Sequence, residues 1–124
     1  MTVRRETGAD RIRLTPNYSV DLDSLDPDWE IGRNSGQDVY LGSGADSLYT
    51  YNGTDLAPVP TTTPDFATCQ KPLPYGTRIK LESLQVPASY CVRTSERRYA
   101  FLTVLDVTGP VVLDVTVWDP PRPA

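Results

Sequence analysis

Histidine is absent from this chain of 124 residues, and that gap removes much chemistry. Without imidazole the usual serine and cysteine triads are unavailable, as is histidine acid–base work. Lysine is scarce too. Only Lys71 and Lys80 occur, and neither sits in a serine–lysine motif. No apolar run approaches the ~20 residues that span a bilayer, so direct membrane insertion is not expected. The N-terminus, MTVRRETGADRIR, lacks the apolar stretch of a signal peptide. Basic runs never exceed two residues, and the formal charge is −4 with a pI near 4.7. The chain therefore has no basic stripe to displace counterions from phosphate, and nothing that draws it to an anionic membrane surface. Nucleic acid is not an expected partner.

Cysteine is limited to Cys69 and Cys91. Two thiols without histidine are too few soft ligands for zinc. Hydrophobic residues make up 39%, a thin supply for one core, and a small thin-cored domain often needs a covalent staple. The even cysteine count fits one disulfide and an oxidising compartment, with two buried reduced thiols as the alternative.

What is present is period-two alternation. In RIRLT (11–15), Ile12 and Leu14 share a face; in YSVDL (18–22), Tyr18, Val20 and Leu22 do. Both read as half-buried strands, and the intervening turn suggests a hairpin. DVYL (38–41) and SLYTY (47–51) are short candidates, with GSG (42–44) as a turn. GSG is no phosphate loop, because neither G-K-[ST] nor a helix follows it. NGT (52–54) suits a tight turn, and LAPV (56–59) reads as a return strand that Pro58 confines to an edge. A short helix is expected after Thr63 as N-cap and Pro64 as first residue, ending before Pro72. SYCVRT (89–94), YAFLTVLDV (99–107) and VVLDVTVW (111–118) form an antiparallel three-strand meander. The twelve prolines and eight glycines are scattered as turn punctuation. The expected fold is all-β: a small antiparallel β-sandwich or roll with one short helix. Residues 1–10 read as an N-terminal arm, 11–119 as a single β domain and 120–124 as a proline-rich tail.

Three groups are candidates for function. Asp21, Asp23, Asp26 and Asp28, with Glu30, crowd VDLDSLDPDWEI and offer oxygens at alternating positions, as calcium would require. The central glycine of an EF-hand loop is missing and Pro27 stiffens the segment, so an acidic turn between strands is the competing reading. No other cofactor is expected. A glycosidase pair is not, since nothing in the spacing sets two carboxyls across a cleft. Tyr49 and Tyr51 share a strand face and read either as a stacking platform for a sugar or peptide, or as core-lining rings with hydroxyls at the rim. Trp118 is placed to cap the core and Trp29 to anchor the acidic loop. NYS (17–19) and NGT match the glycosylation sequon, which matters only in a eukaryotic host.

The segments CVRTSERRYAFLTVLDV and VVLDVTVWD, with YSVDLDS and a cysteine upstream, resemble a poorly characterised β-rich extracytoplasmic domain. It is found in actinobacterial exported proteins and in C-terminal regions of serine/threonine protein kinases. The resemblance runs over about residues 12–119. It implies a Cys69–Cys91 pair, a location outside the membrane and no catalytic residues; kinase activity would belong to another domain. The expected function is non-catalytic recognition of a cell-envelope ligand, carbohydrate or peptide, with a protein–protein or structural accessory role as the alternative. Export requires this chain to be a mature or excised domain. If Met1 is the native start, a cytoplasmic interaction protein is expected instead.

Overall fold

The computed structural model describes residues 2–33 and 38–121. Its elements are β1 (Thr2–Glu6), β2 (Ile12–Leu14), β3 (Tyr18–Val20), β4 (Gly32–Arg33), β5 (Val39–Leu41), β6 (Ser47–Thr50), β7 (Asp55–Val59), α1 (Phe66–Cys69), β8 (Arg78–Lys80), β9 (Ala88–Arg93), β10 (Tyr99–Asp106) and β11 (Val111–Asp119). They build two antiparallel sheets. Sheet one runs β1-β11-β10-β9-β7, with β2 also paired to β11; sheet two runs β4-β3-β5-β6-β8. β1 and β2 lie end to end along one side of β11, opposite residues 116–119 and 111–113 respectively.

The alternating residues form the core between the sheets. Sheet one contributes the row Leu56, Val92, Ala100 and Val117, and sheet two the row Leu41, Leu48 and Ile79. Each fully buried valine, leucine or isoleucine side chain stabilises the fold by about 1.5–3 kcal/mol relative to exposure. The meander β9–β10–β11 forms as its sequence predicts, with Val111, Leu113, Val115 and Val117 all facing inward.

Sheet one is buried on its outer side as well. The outward row Ala57, Cys91, Phe101 and Thr116 lies under residues 60–75, which fold back across it. Phe66 of α1 packs edge-on against Tyr99 and Trp118, with centroids 5.6 Å away in both cases. The Cys69–Cys91 disulfide ties this flap down, and both sulfurs are buried. Trp118 thus closes an outer cluster rather than capping the inner core.

Four expectations are corrected here. Residues 2–6 are not a free arm but strand β1. Their charged pattern hides a strand whose arginines grip a neighbouring loop instead of facing a core. β2 and β3 do not form a hairpin: Thr15–Asn17 carries the chain from sheet one to sheet two. LAPV does not return to β6 either; β7 pairs with β9 at the edge of sheet one, where Pro58 needs no ladder partner. Alternation reports which face is apolar, and it reads the same for strands side by side or across a sandwich. The helix is a single turn capped by Asp65 rather than Thr63. The Asp65 carboxylate accepts from the Ala67 N–H (3.1 Å) and the Thr68 hydroxyl (2.9 Å). Of the tail, residues 122–124 lie outside the described residues.

Opening the disulfide has a predictable cost. The cross-link spans 22 residues, and closing a loop of that length stabilises by about 3 kcal/mol, largely through the unfolded chain. A Cys69→Ala/Cys91→Ala variant is expected to lose about that much in urea unfolding. Tryptophan fluorescence should shift as the flap loosens over Trp118. Unfolding midpoints equal to wild type would remove the stapling role.

Candidate functional site

The acidic segment does not close on itself. Asp26 and Asp28 lie with Arg5, whose guanidinium donates to the carbonyls of Ser24 (2.7 Å) and Pro27 (3.1 Å) and stacks 3.8 Å over the Trp29 ring. Trp29 is buried and anchors the loop as expected. Asp21 and Asp23 instead meet Asp38, fifteen or more residues along the chain, with one oxygen of each within 4.8 Å of the others.

The donors around this trio are already assigned. Asp23, with no side-chain exposure, accepts from Arg98 Nη1 (2.9 Å), the Thr94 hydroxyl (2.8 Å), the Glu96 N–H (3.1 Å) and the Ser95 hydroxyl (3.4 Å). Asp38 accepts from the Leu22 N–H (3.1 Å) and the Thr54 hydroxyl (3.3 Å). The positive charge expected from calcium is supplied to Asp23 by Arg98. Burial, followed by the charges of Asp23 and Asp21, pushes the Asp38 carboxyl up to about 7, against the pull of the Ser95 and Leu22 donors. Burial likewise raises Asp21. The trio joins the loop after β3 and the start of β5, both in sheet two, to the β9–β10 turn of sheet one. It is a joint between sheets. Sequence reasoning missed Asp38 because nothing local sets it apart from other loop aspartates.

The tyrosines face the other way. One cross-strand row crosses the outer side of sheet two: Gly32, Ser19, Tyr40, Tyr49 and Arg78. The Tyr40 ring stacks on Tyr49 at 5.2 Å and on Tyr51 at 4.5 Å, making a three-ring ladder with Tyr40 in the middle. Tyr49 and Tyr51 therefore do share an outward face, and Tyr51 is 44% exposed. Arg78 approaches Tyr49 from the far end, 5.4 Å from the ring centre, with its Nε bonded to the Ser47 hydroxyl (3.0 Å). Hydrogen bonding to Tyr51 and loss of water push the Tyr40 hydroxyl up to about 12. Tyr40 was legible in principle, because a GSGAD turn between two alternating runs sets Tyr40 opposite Tyr49. Gly42 leaves room for the ladder: a Cβ there would lie 2.8 Å from Tyr49 Cε2 and would push the ring aside.

Beside the ladder opens a groove of about 500 Å³ lined by Asn17, Tyr40, Gly42, Ser43, Gly44, Asp46 and Tyr49. No family model matches this chain, and no curated protein or solved structure shows significant similarity to it. No helix among the described residues is long and apolar enough to cross a membrane.

Proposed function

We propose that this chain is a non-catalytic recognition module working outside the cytoplasm, with the outward side of sheet two as its binding face. The tyrosine ladder carries the reading. Three stacked rings, stiffened by a strand pair and a cation, form a pre-ordered aromatic surface that costs little entropy to use. Their presence on the solvent side, rather than in the core, favours the platform over the core-lining alternative. The buried disulfide supports an oxidising compartment. The lack of histidine, and the engagement of Asp23 and Asp38 by donors, support a binding rather than a catalytic role. The likeness to exported actinobacterial segments points to an envelope ligand.

Partner binding by strand addition has less support. Edge strand β7 contains Pro58, β8 carries exposed Arg78 and Lys80, and β1 is bulged at Arg4. Each is a recognised way of blunting an edge.

Cell walls stripped of protein and lipid test the proposal. Wild-type protein is expected to be retained on actinobacterial walls, and a Tyr40→Ser/Tyr51→Ser variant of unchanged melting temperature to pass through. Equal passage of both would defeat it.

A further inference from the structure

The geometry points to the groove beside Tyr40 and Tyr49 as a subsite for a neutral saccharide, held by Asp46, Asn17 and Ser43. This assignment rests on the recognition reading above and names its ligand.

Three walls define the groove. The first is the ladder, which presents Tyr40 and Tyr49. The second is the β5–β6 turn, residues 42–46, which carries Ser43 and the exposed Asp46. The third is the crossing between sheets, where Asn17 is held at φ 72° with its N–H on the Leu41 carbonyl (2.8 Å). The groove's volume, about 500 Å³, lies within the range of roughly 300–1,000 Å³ usual for small-ligand sites.

Its chemistry suits a sugar ring. A pyranose hydroxyl both donates and accepts, so it pairs with a carboxylate that only accepts and with an amide that does both. Asp46 and Asn17 provide these groups in the groove lining, and Ser43 adds a hydroxyl. Tyr40 lies between Tyr49 and Tyr51, and Tyr49 between Tyr40 and Arg78, so the groove meets ring edges and hydroxyls, against which the apolar C–H surface of a sugar can lie. Gly42 lets the Tyr49 ring lie close against the turn.

Charge narrows the choice. Among the described residues Asp46 is the one charged side chain lining the groove, so a uronic or phosphorylated sugar would meet a like charge. Arg78 does not line it; its guanidinium is committed to Ser47 and to the far side of Tyr49. An exposed carboxylate in water also attracts a cation only weakly, which argues against a basic peptide as the natural occupant. A neutral ring uses every group the groove offers.

The test is an amide-shift titration of the labelled protein with cellotetraose, chitotetraose and maltotetraose, set beside a tetragalacturonate and a lysine-rich decapeptide. At least one neutral tetrasaccharide is expected to move the amides of Asn17, Tyr40, Gly42–Asp46 and Tyr49. Added salt should leave its affinity unchanged. Asp46→Ala removes an exposed side chain and leaves the backbone bond from Leu81 to the Asp46 carbonyl intact, so the fold should hold. It is expected to weaken binding by about tenfold, as is Tyr49→Ala. Shifts from the galacturonate or the peptide, with none from the neutral sugars, overturn the saccharide class while leaving the outward face as a binding surface. Silence of these amides towards every probe overturns the subsite. Retention on stripped walls is a separate result and judges the broader reading independently.

Discussion

Arg98→Met is expected to destabilise the fold by about 3–5 kcal/mol, the usual cost of stranding a buried charge. Arg98 does three things at once. It reaches the unexposed Asp23 carboxylate (2.9 Å), Asp119 at the end of β11 (2.7 Å) and Glu96 in its own turn (3.3 Å). Burial works against its charge, but the bonds to Asp119, Asp23 and Glu96 together hold the guanidinium above its ordinary value. Asp119 is lowered in turn, first by its hydrogen bond to Arg98. Methionine fills the space but leaves Asp23 facing Asp21 and Asp38 without a cation. Lysine keeps the charge but carries all three donors on one nitrogen, so it cannot reproduce the separate reach of Nη1 to Asp23 and Nε to Asp119, and Arg98→Lys should recover only a fraction of the loss. Urea unfolding of the two variants measures this. Losses below about 1 kcal/mol in both would show that the joint is not held by charge.

Stability should also fall as the solution is made more alkaline between about pH 4 and pH 7. The folded chain keeps the Asp38 proton up to about 7, whereas an unfolded aspartate gives it up near 3.8. Between those values the folded state holds more protons, so each step up in pH costs stability, and the loss levels off above 7. A rise of that size corresponds to about 4 kcal/mol at most, and relaxation of the loop will reduce that. Asp119 and Asp106 act in the opposite sense, since their lowered values favour folding at higher pH. The comparison with Asp38→Asn isolates the effect. An amide mimics the neutral acid, so the variant should lack the Asp38 slope and exceed wild type in melting temperature above pH 7. Parallel melting profiles across the range would refute the assignment.

The sequence exposed much of this fold and little of its wiring. Alternation located β2 and β5, which bury one face and leave the other partly open, and the same period together with β-branched residues marked the meander although the flap covers its outer side. The positive φ angles at Asn52 and Gly53 follow from residue type alone. Which strands share a sheet did not follow, since Ile12 and Leu14 look the same whether β2 lies beside β3 or across from it. β1 was hidden for another reason. Arg4 and Arg5 spend their side chains on the carbonyls of Asp23, Ser24 and Pro27, so no apolar period marks the strand. At the sites, Tyr49 and Tyr51 were visible because they sit close together in one short run, whereas Tyr40 needed a register. The acidic run drew attention to five neighbours, although space selected two of them and added Asp38 from outside the run.

The pairing of Thr2 with Asp119 has a mechanical consequence. In antiparallel β1 and β11 these residues sit at the same end of the ladder, so a pull applied to both would load the first rung alone. The rungs would then give way in succession, as a zipper opens, and β1 would peel away. Force would meet the least resistance at this corner, with the tyrosine face untouched until the tear had run the length of the strand.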